Sequence, residues 1–196
     1  FKTHFTKIPE AELVGKKDSP KLTFELSEMI ANELRSVGVN VNFAPVADIN
    51  SNSSNPVIGN RSFGNTEERV SKMVTAFVRG HLSAGVAPCV KHFPGHGDTS
   101  VDSHFALPRV KDTLEQLKER EIKPFQKGFK SGCRFVMTAH IVNPNLDPNY
   151  PATLSKKTLQ GLLRDELRYT GVVISDDMEM KAVTDHFGAE DAPRLA

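Results

Sequence analysis

Four times along this chain an apolar run of strand length stops at a polar, ionisable residue, and each run is flanked by stretches with helical hydrophobic spacing; that repeat limits the fold more than any other feature. Residues 39–47 carry Val39, Val41, Phe43 and Pro45 up to Asp48, and residues 86–90 lead to Lys91 and His92. Residues 135–139 lead to His140, and Val172-Val173-Ile174-Ser175 to Asp176 and Asp177. Amphipathic helices fill the intervals. Asp18-Ser19-Pro20 caps the first, with Leu22, Leu26, Met29, Ile30, Leu34 and Val37 on its apolar face until Gly38. Thr66-Glu67-Glu68 opens the second, which continues through Val70, Met73, Val74, Phe77 and Val78 and closes by Gly85. A third spans 114–130 with Pro124 as its expected break, and a fourth, capped by Ser155, places Leu159, Leu162, Leu163 and Leu167 on one face. Ahead of them all lies a polar amino-terminal segment.

In a parallel sheet with right-handed crossovers all four strand ends lie on one face, so residues distant in sequence meet in one pocket. A doubly wound open sheet would gather its chemistry at a single crevice rather than equip every strand. The expected fold class is therefore α/β, of the (β/α)8 TIM-barrel type and apparently incomplete, with about four consecutive βα units present. Half a barrel exposes raw edges and an inner face, so the chain is expected to be a piece of a larger domain or to be completed by another chain through self-association.

Bulk properties exclude several classes of function. Of 196 residues, 38% are hydrophobic and 25% charged, which is an ordinary globular balance with enough apolar side chains for one substantial core. The 25 basic and 24 acidic side chains leave a formal charge of +1, too little to attract nucleic acid or an anionic membrane. A neutral or mixed ligand is expected instead. No apolar run reaches membrane-spanning length, and Cys89 and Cys133 sit in apolar runs without metal-ligand spacing, as small buried hydrophobes.

The densest chemistry follows the second apolar run, in KHFPGHGDTSVDSH over 91–104. Three imidazoles share this stretch with turn-forming residues at a strand's carboxyl end, where α/β folds put ligands and catalysts; a plain polar turn would have little use for so many histidines. Asp102 and His104 stand two apart, so in extended backbone they share a side, and the carboxylate can fix the tautomer of the ring and raise its pKa. Two solvated loop residues would show the same spacing. Gly95 and Gly97 supply hinges that could carry this pair over a substrate. Asp176, at the end of the Val-Val-Ile run, suits a fixed nucleophile, while Asp177 suits a cap for a helix beginning at Met178. Asp48 and Arg61 flank an Asn-rich loop, and a carboxylate with a guanidinium fits paired sugar hydroxyls better than an apolar ligand. Lys91 and His92 are adjacent, so both reach one pocket only if the strand bulges there. His96 and Asp98 are as suited to bracing the loop as to touching substrate. A metal-dependent hydrolase is an alternative, since His92, His96, Asp98, His104 and His140 could gather a zinc ion, although Pro94-Gly95 interrupts the helical spacing that helix-borne zinc sites use.

Four segments together carry a resemblance: Asn42-Phe43-Ala44-Pro45-Val46-Ala47-Asp48, Gly59-Asn60-Arg61-Ser62-Phe63-Gly64, the 91–104 string and Ser175-Asp176-Asp177-Met178. The chain closely resembles the amino-terminal catalytic domain of glycoside hydrolase family 3, and more narrowly its bacterial β-N-acetylglucosaminidase branch, the NagZ type, over nearly its whole length. The resemblance implies that the chain, 1–196, is a partial (β/α)-barrel catalytic domain lacking two strands at each end of the family pattern. It also implies a retaining exo-β-N-acetylglucosaminidase with Asp176 as nucleophile and His104, paired with Asp102, as general acid and then base. By the same resemblance Asp48, Arg61, Lys91 and His92 hold the sugar, the substrates are N-acetylglucosamine-containing fragments of peptidoglycan, and neither metal nor organic cofactor is used. A cytoplasmic setting is favoured, with secretion or a lipid anchor left open. The remaining alternative is a sugar-binding remnant without catalysis.

Overall fold

The computed structural model describes residues 4–99 and 107–196, so Asp102 and His104 lie outside the described residues. Four strands, β1 (Val41–Asn42), β2 (Ala87–Phe93), β3 (Phe135–Thr138) and β4 (Val172–Ser175), form one parallel sheet in the order β1-β2-β3-β4. Spatial order follows chain order without reversal, which is the arc of a (β/α) barrel; a doubly wound sheet would reverse at a switch point. The helices are α1 (Ala11–Lys16), α2 (Pro20–Ser36), α3 (Glu67–Ser83), α4 (Leu114–Glu119), α5 (Lys123–Lys130), a wider π-type helix at Lys157–Glu166, α6 (Lys181–Phe187) and α7 (Ala192–Leu195).

Local chemistry explains most boundaries. Ser19 Oγ accepts from the Leu22 amide with Pro20 in the first turn of α2, and Thr113 and Gln116 form a reciprocal capping box at α4. The 114–130 helix breaks ahead of Pro124 into α4 and α5, as its sequence suggests. Ser155 Oγ accepts from the Thr158 amide and so caps the Lys157–Glu166 helix. The core lies between helices and sheet, where Val70, Met73, Val74, Val90, Phe93, Phe125 and Leu163 are all buried in one cluster, with Phe93 and Phe125 edge to face at 5.5 Å.

Three expectations are corrected and one helix is added. The first strand is paired as a regular ladder only over Val41–Asn42 instead of 39–47, because Pro45 has no N–H to donate; beyond it a bridge from Val46 to Lys91 and the bond from the Ala47 amide to the Lys91 carbonyl (2.6 Å) keep the chain alongside β2. The second strand runs three residues further than the apolar run, through Lys91 and His92 to Phe93. The polar segment before α2 holds a helix that its sequence did not announce, α1, which packs against the loop turn Gly59–Arg61: Gly15 meets the Phe63 carbonyl so closely that a Cβ there would sit 1.6 Å from its oxygen. Finally, the helix after β4 starts at Lys181, with Met180 as its cap; Asp177 Oδ1 instead accepts from the Glu179 amide and closes the preceding turn.

Candidate active site

The carboxyl ends of β1, β2 and β4 converge on a cluster of ionisable groups. Its centre is a departure from strand alternation: the β2–β3 register shifts between Lys91 and Phe93, and the Lys91–His92 peptide is cis. Val90 and Phe93 both belong to the same core cluster although three residues apart, so the two residues between them turn to the opposite, inner side. Lys91 and His92 therefore face one pocket, as the sequence required of a bulge.

Asp48 holds this arrangement from beneath. Its side chain has no exposed surface; Oδ2 lies 2.7 Å from His92 Nδ1, Oδ1 accepts from the His96 amide at 2.8 Å, and both oxygens are 3.2 Å from the His92 amide. Burial pushes this carboxyl up, but the neighbouring His92 ring, its hydrogen bond and the His96 amide outweigh burial and hold it below the usual carboxylate range. An ionised Asp48 only accepts, so His92 carries its hydrogen on Nδ1 and turns Nε2 toward Asp176, 3.9 Å from Oδ2. Asp176 is partly open, at 30% side-chain exposure, and its Oδ1 accepts from the Asp177 amide at 2.9 Å. Lys91 lies within electrostatic reach of Arg61, Asp176 and Asp48; burial first, then Arg61, lower its pKa. Arg61 is exposed and donates from Nη1 to the Val57 carbonyl.

Five of the expected site residues thus come together: Asp48, Arg61, Lys91, His92 and Asp176. Asp48 differs from expectation in its surroundings, since both its oxygens are buried and bonded to β2 and the following turn rather than open to a sugar. His96 and Asp98 brace the loop. His96 Nδ1 pairs with Thr99 Oγ1 at 2.8 Å, and burial keeps the His96 ring below the usual histidine range; Asp98 accepts from Ser51 and lies 3.9 Å from Arg120. Gly97 is a packing position, not a hinge: a Cβ there would fall 1.6 Å from the Ile49 carbonyl oxygen. Among the described residues no three of His, Cys, Asp and Glu converge as a metal-ion site, and no described helix is long and apolar enough to cross a membrane.

Sequence reasoning missed three supports of the site. Asn52 and Asn55, two of the many asparagines of the 48–65 loop, donate to the Thr99 carbonyl (3.1 Å) and the His96 carbonyl (2.8 Å) and so fasten that loop to the histidine turn. The loop's asparagine content was the signal. Glu121 is buried against Gly95, paired to Arg120 at 2.6 Å through Oε1, while Oε2 has no hydrogen-bond partner among the described residues. Nothing in its local pattern marked it.

Comparison with known proteins decides the lineage. The model for the glycosyl hydrolase family 3 N terminal domain matches residues 1–196. The chain belongs to glycosyl hydrolase family 3. This family 3 domain is 42% identical over 180 residues to beta-hexosaminidase A of Pseudoalteromonas piscicida, a match covering 86% of the chain and 30% of the relative. It superposes on a family 3 beta-N-acetylglucosaminidase from Paenibacillus sp. str. FPU-7 with a TM-score of 0.96 at 46% identity, covering 98% of this chain and 37% of that one. It also superposes on NagZ from Neisseria gonorrhoeae in complex with N-trifluoroacetyl-D-glucosamine, with a TM-score of 0.90 at 33% identity, covering all of this chain and 58% of that one. The chain thus spans between about a third and somewhat over half of these relatives, and its four strands are part of their barrel-like α/β fold.

Proposed function

We propose that residues 1–196 form the catalytic part of a retaining exo-β-N-acetylglucosaminidase that removes terminal β-linked N-acetylglucosamine from peptidoglycan-derived fragments. The observation that carries this reading is the convergence of strand ends in which the Asp176 carboxylate faces His92 Nε2 at 3.9 Å, with the other ring nitrogen anchored on buried Asp48. The ligand named for the Neisseria NagZ structure and the names of the other relatives support an N-acetylhexosamine substrate.

In this reading Asp176 attacks the anomeric carbon and the bond to the leaving oxygen breaks. The proton for that oxygen comes from His104, with Asp102 holding its ring. Water then attacks the glycosyl-enzyme, gives its proton to His104 and releases the sugar and the free carboxylate. Lys91 and Arg61 donate to sugar hydroxyl and acetamido oxygens, and His92 Nε2 accepts from a sugar hydroxyl. Asp48 is assigned to holding His92 and His96, because its oxygens are already bonded to them.

Replacing Asp176 with Ala abolishes turnover of an aryl β-N-acetylglucosaminide in the intact protein, and His104→Ala slows poor leaving groups far more than good ones. An unchanged rate in Asp176→Ala would end the proposal. Turnover that stops on adding a chelator would instead favour metal-assisted hydrolysis, and calorimetric binding of N-acetylglucosamine without turnover would leave a sugar-binding module.

A further inference from the structure

His140 is equipped like a site residue yet takes no part in the chemistry above. It follows β3, is 1% exposed, and bridges two strand ends: Nε2 lies 2.9 Å from the Asp177 carbonyl oxygen and Nδ1 2.8 Å from Thr153 Oγ1. A carbonyl only accepts, so the ring hydrogen is on Nε2. Burial holds the ring below the usual histidine range and keeps it neutral, so Nδ1 accepts from the Thr153 hydroxyl. That hydroxyl is within 3.0 Å of Thr138 Oγ1, which donates to it from the last residue of β3. Hydroxyl, hydroxyl, ring and carbonyl therefore form one directed chain from β3 to the residue after Asp176, in which the Thr153 hydrogen goes to the bare Nδ1 at 2.8 Å rather than to the Ala139 carbonyl at 3.0 Å.

The far end of that chain bears on Asp176 itself. The Asp177 amide donates back to Asp176 Oδ1 at 2.9 Å, so the orientation of the Asp177 backbone governs how the Asp176 carboxylate is presented. We propose that His140 is a positioning residue for Asp176: its Nε2–H clamps the Asp177 carbonyl, and the Thr138–Thr153 hydroxyl pair holds the ring in the tautomer that can do so. The inference rests on the reading of Asp176 as the nucleophile. Loss of the clamp misplaces the attacking oxygen without removing a group that binds sugar, and small misplacements of this kind are costly to rate.

The test is steady-state kinetics on an aryl β-N-acetylglucosaminide for Asp176→Asn, His140→Ala, His140→Gln and Thr153→Val in the intact protein, with imidazole-nitrogen NMR of the unsubstituted protein. The expected results are a dead Asp176→Asn and a fall in kcat of about 100-fold in His140→Ala with KM nearly unchanged. His140→Gln, which keeps an N–H donor, recovers part of the loss, and Thr153→Val loses less than His140→Ala. NMR shows hydrogen on Nε2 and an unprotonated Nδ1 at pH 7. Full turnover in His140→Ala beside a dead Asp176→Asn overturns the inference alone, as does hydrogen on Nδ1. Should Asp176→Asn keep its activity, the nucleophile assignment falls and the inference with it. If His140→Ala fails to fold, the NMR tautomer and Thr153→Val decide.

Discussion

Glu121 shows how a single buried carboxyl can leave a signature on the whole domain. Burial raises its pKa to about 7 from 4.5; Arg120 pulls it down, while Asp48 and Asp112 push it up. Its Oε2 is unpartnered among the described residues and sits against Gly95, so ionisation puts a poorly compensated charge beneath the histidine turn. The sign follows from linkage: between pH 4.5 and about 7 the folded state keeps a proton that the unfolded state has released, so stability falls across that window and is flat above it. At 1.36 kcal/mol per pH unit the loss is about 3 kcal/mol. The buried histidines act oppositely. His81, pushed down to about 4 by burial, together with His96 and His140, costs stability as pH falls below the usual histidine range. The difference between unsubstituted protein and Glu121→Gln isolates the carboxyl: in urea unfolding at pH 5 and pH 8, the variant loses less stability than the unsubstituted protein on going to pH 8. Parallel pH dependences in the two proteins would show that Glu121 does not titrate in this range.

At the scale of elements, the site depends on how closely the turn after β2 lies on the chain leaving β1. Gly97 is the tightest point, and Gly97→Ala drives a methyl into the Ile49 carbonyl, which is backbone and cannot step aside. The expected cost is at least about 3 kcal/mol in denaturant unfolding, at the upper end for overpacking, with the His96–Asp48 bond lost. A change under about 0.5 kcal/mol would mean the two segments separate freely. Legibility in the sequence follows the same divide between local and non-local causes. The boundaries of α2, α4 and α5 were readable because caps and Pro124 act within one turn. The single pocket for Lys91 and His92 was readable as a condition, a bulge, and the register shift met it. The burial of Asp48 depends on His92 and His96, more than forty residues away, and that of Glu121 on the distant turn at Gly95, and no local pattern encodes those.

For the molecule as a whole, the order of strands does what no single motif can. Because β1 to β4 lie side by side in chain order, Asp48, Lys91, His92, His140 and Asp176 arrive at one end of the sheet from segments spread over most of the sequence. The architecture explains why the sequence showed a polar, chemically equipped end on every strand. The central functional consequence of the proposed reading is that the Asp176 carboxylate, just after β4, forms a bond to sugar. The most direct test is to incubate the intact protein with a 5-fluorinated N-acetylglucosaminyl fluoride, digest it and locate the modified peptide by mass spectrometry. The expected result is a glycosyl adduct on Asp176 that is absent from Asp176→Ala; an adduct on a different carboxylate, or turnover that proceeds with inversion at the anomeric carbon, would rule out Asp176 as the nucleophile of a retaining enzyme.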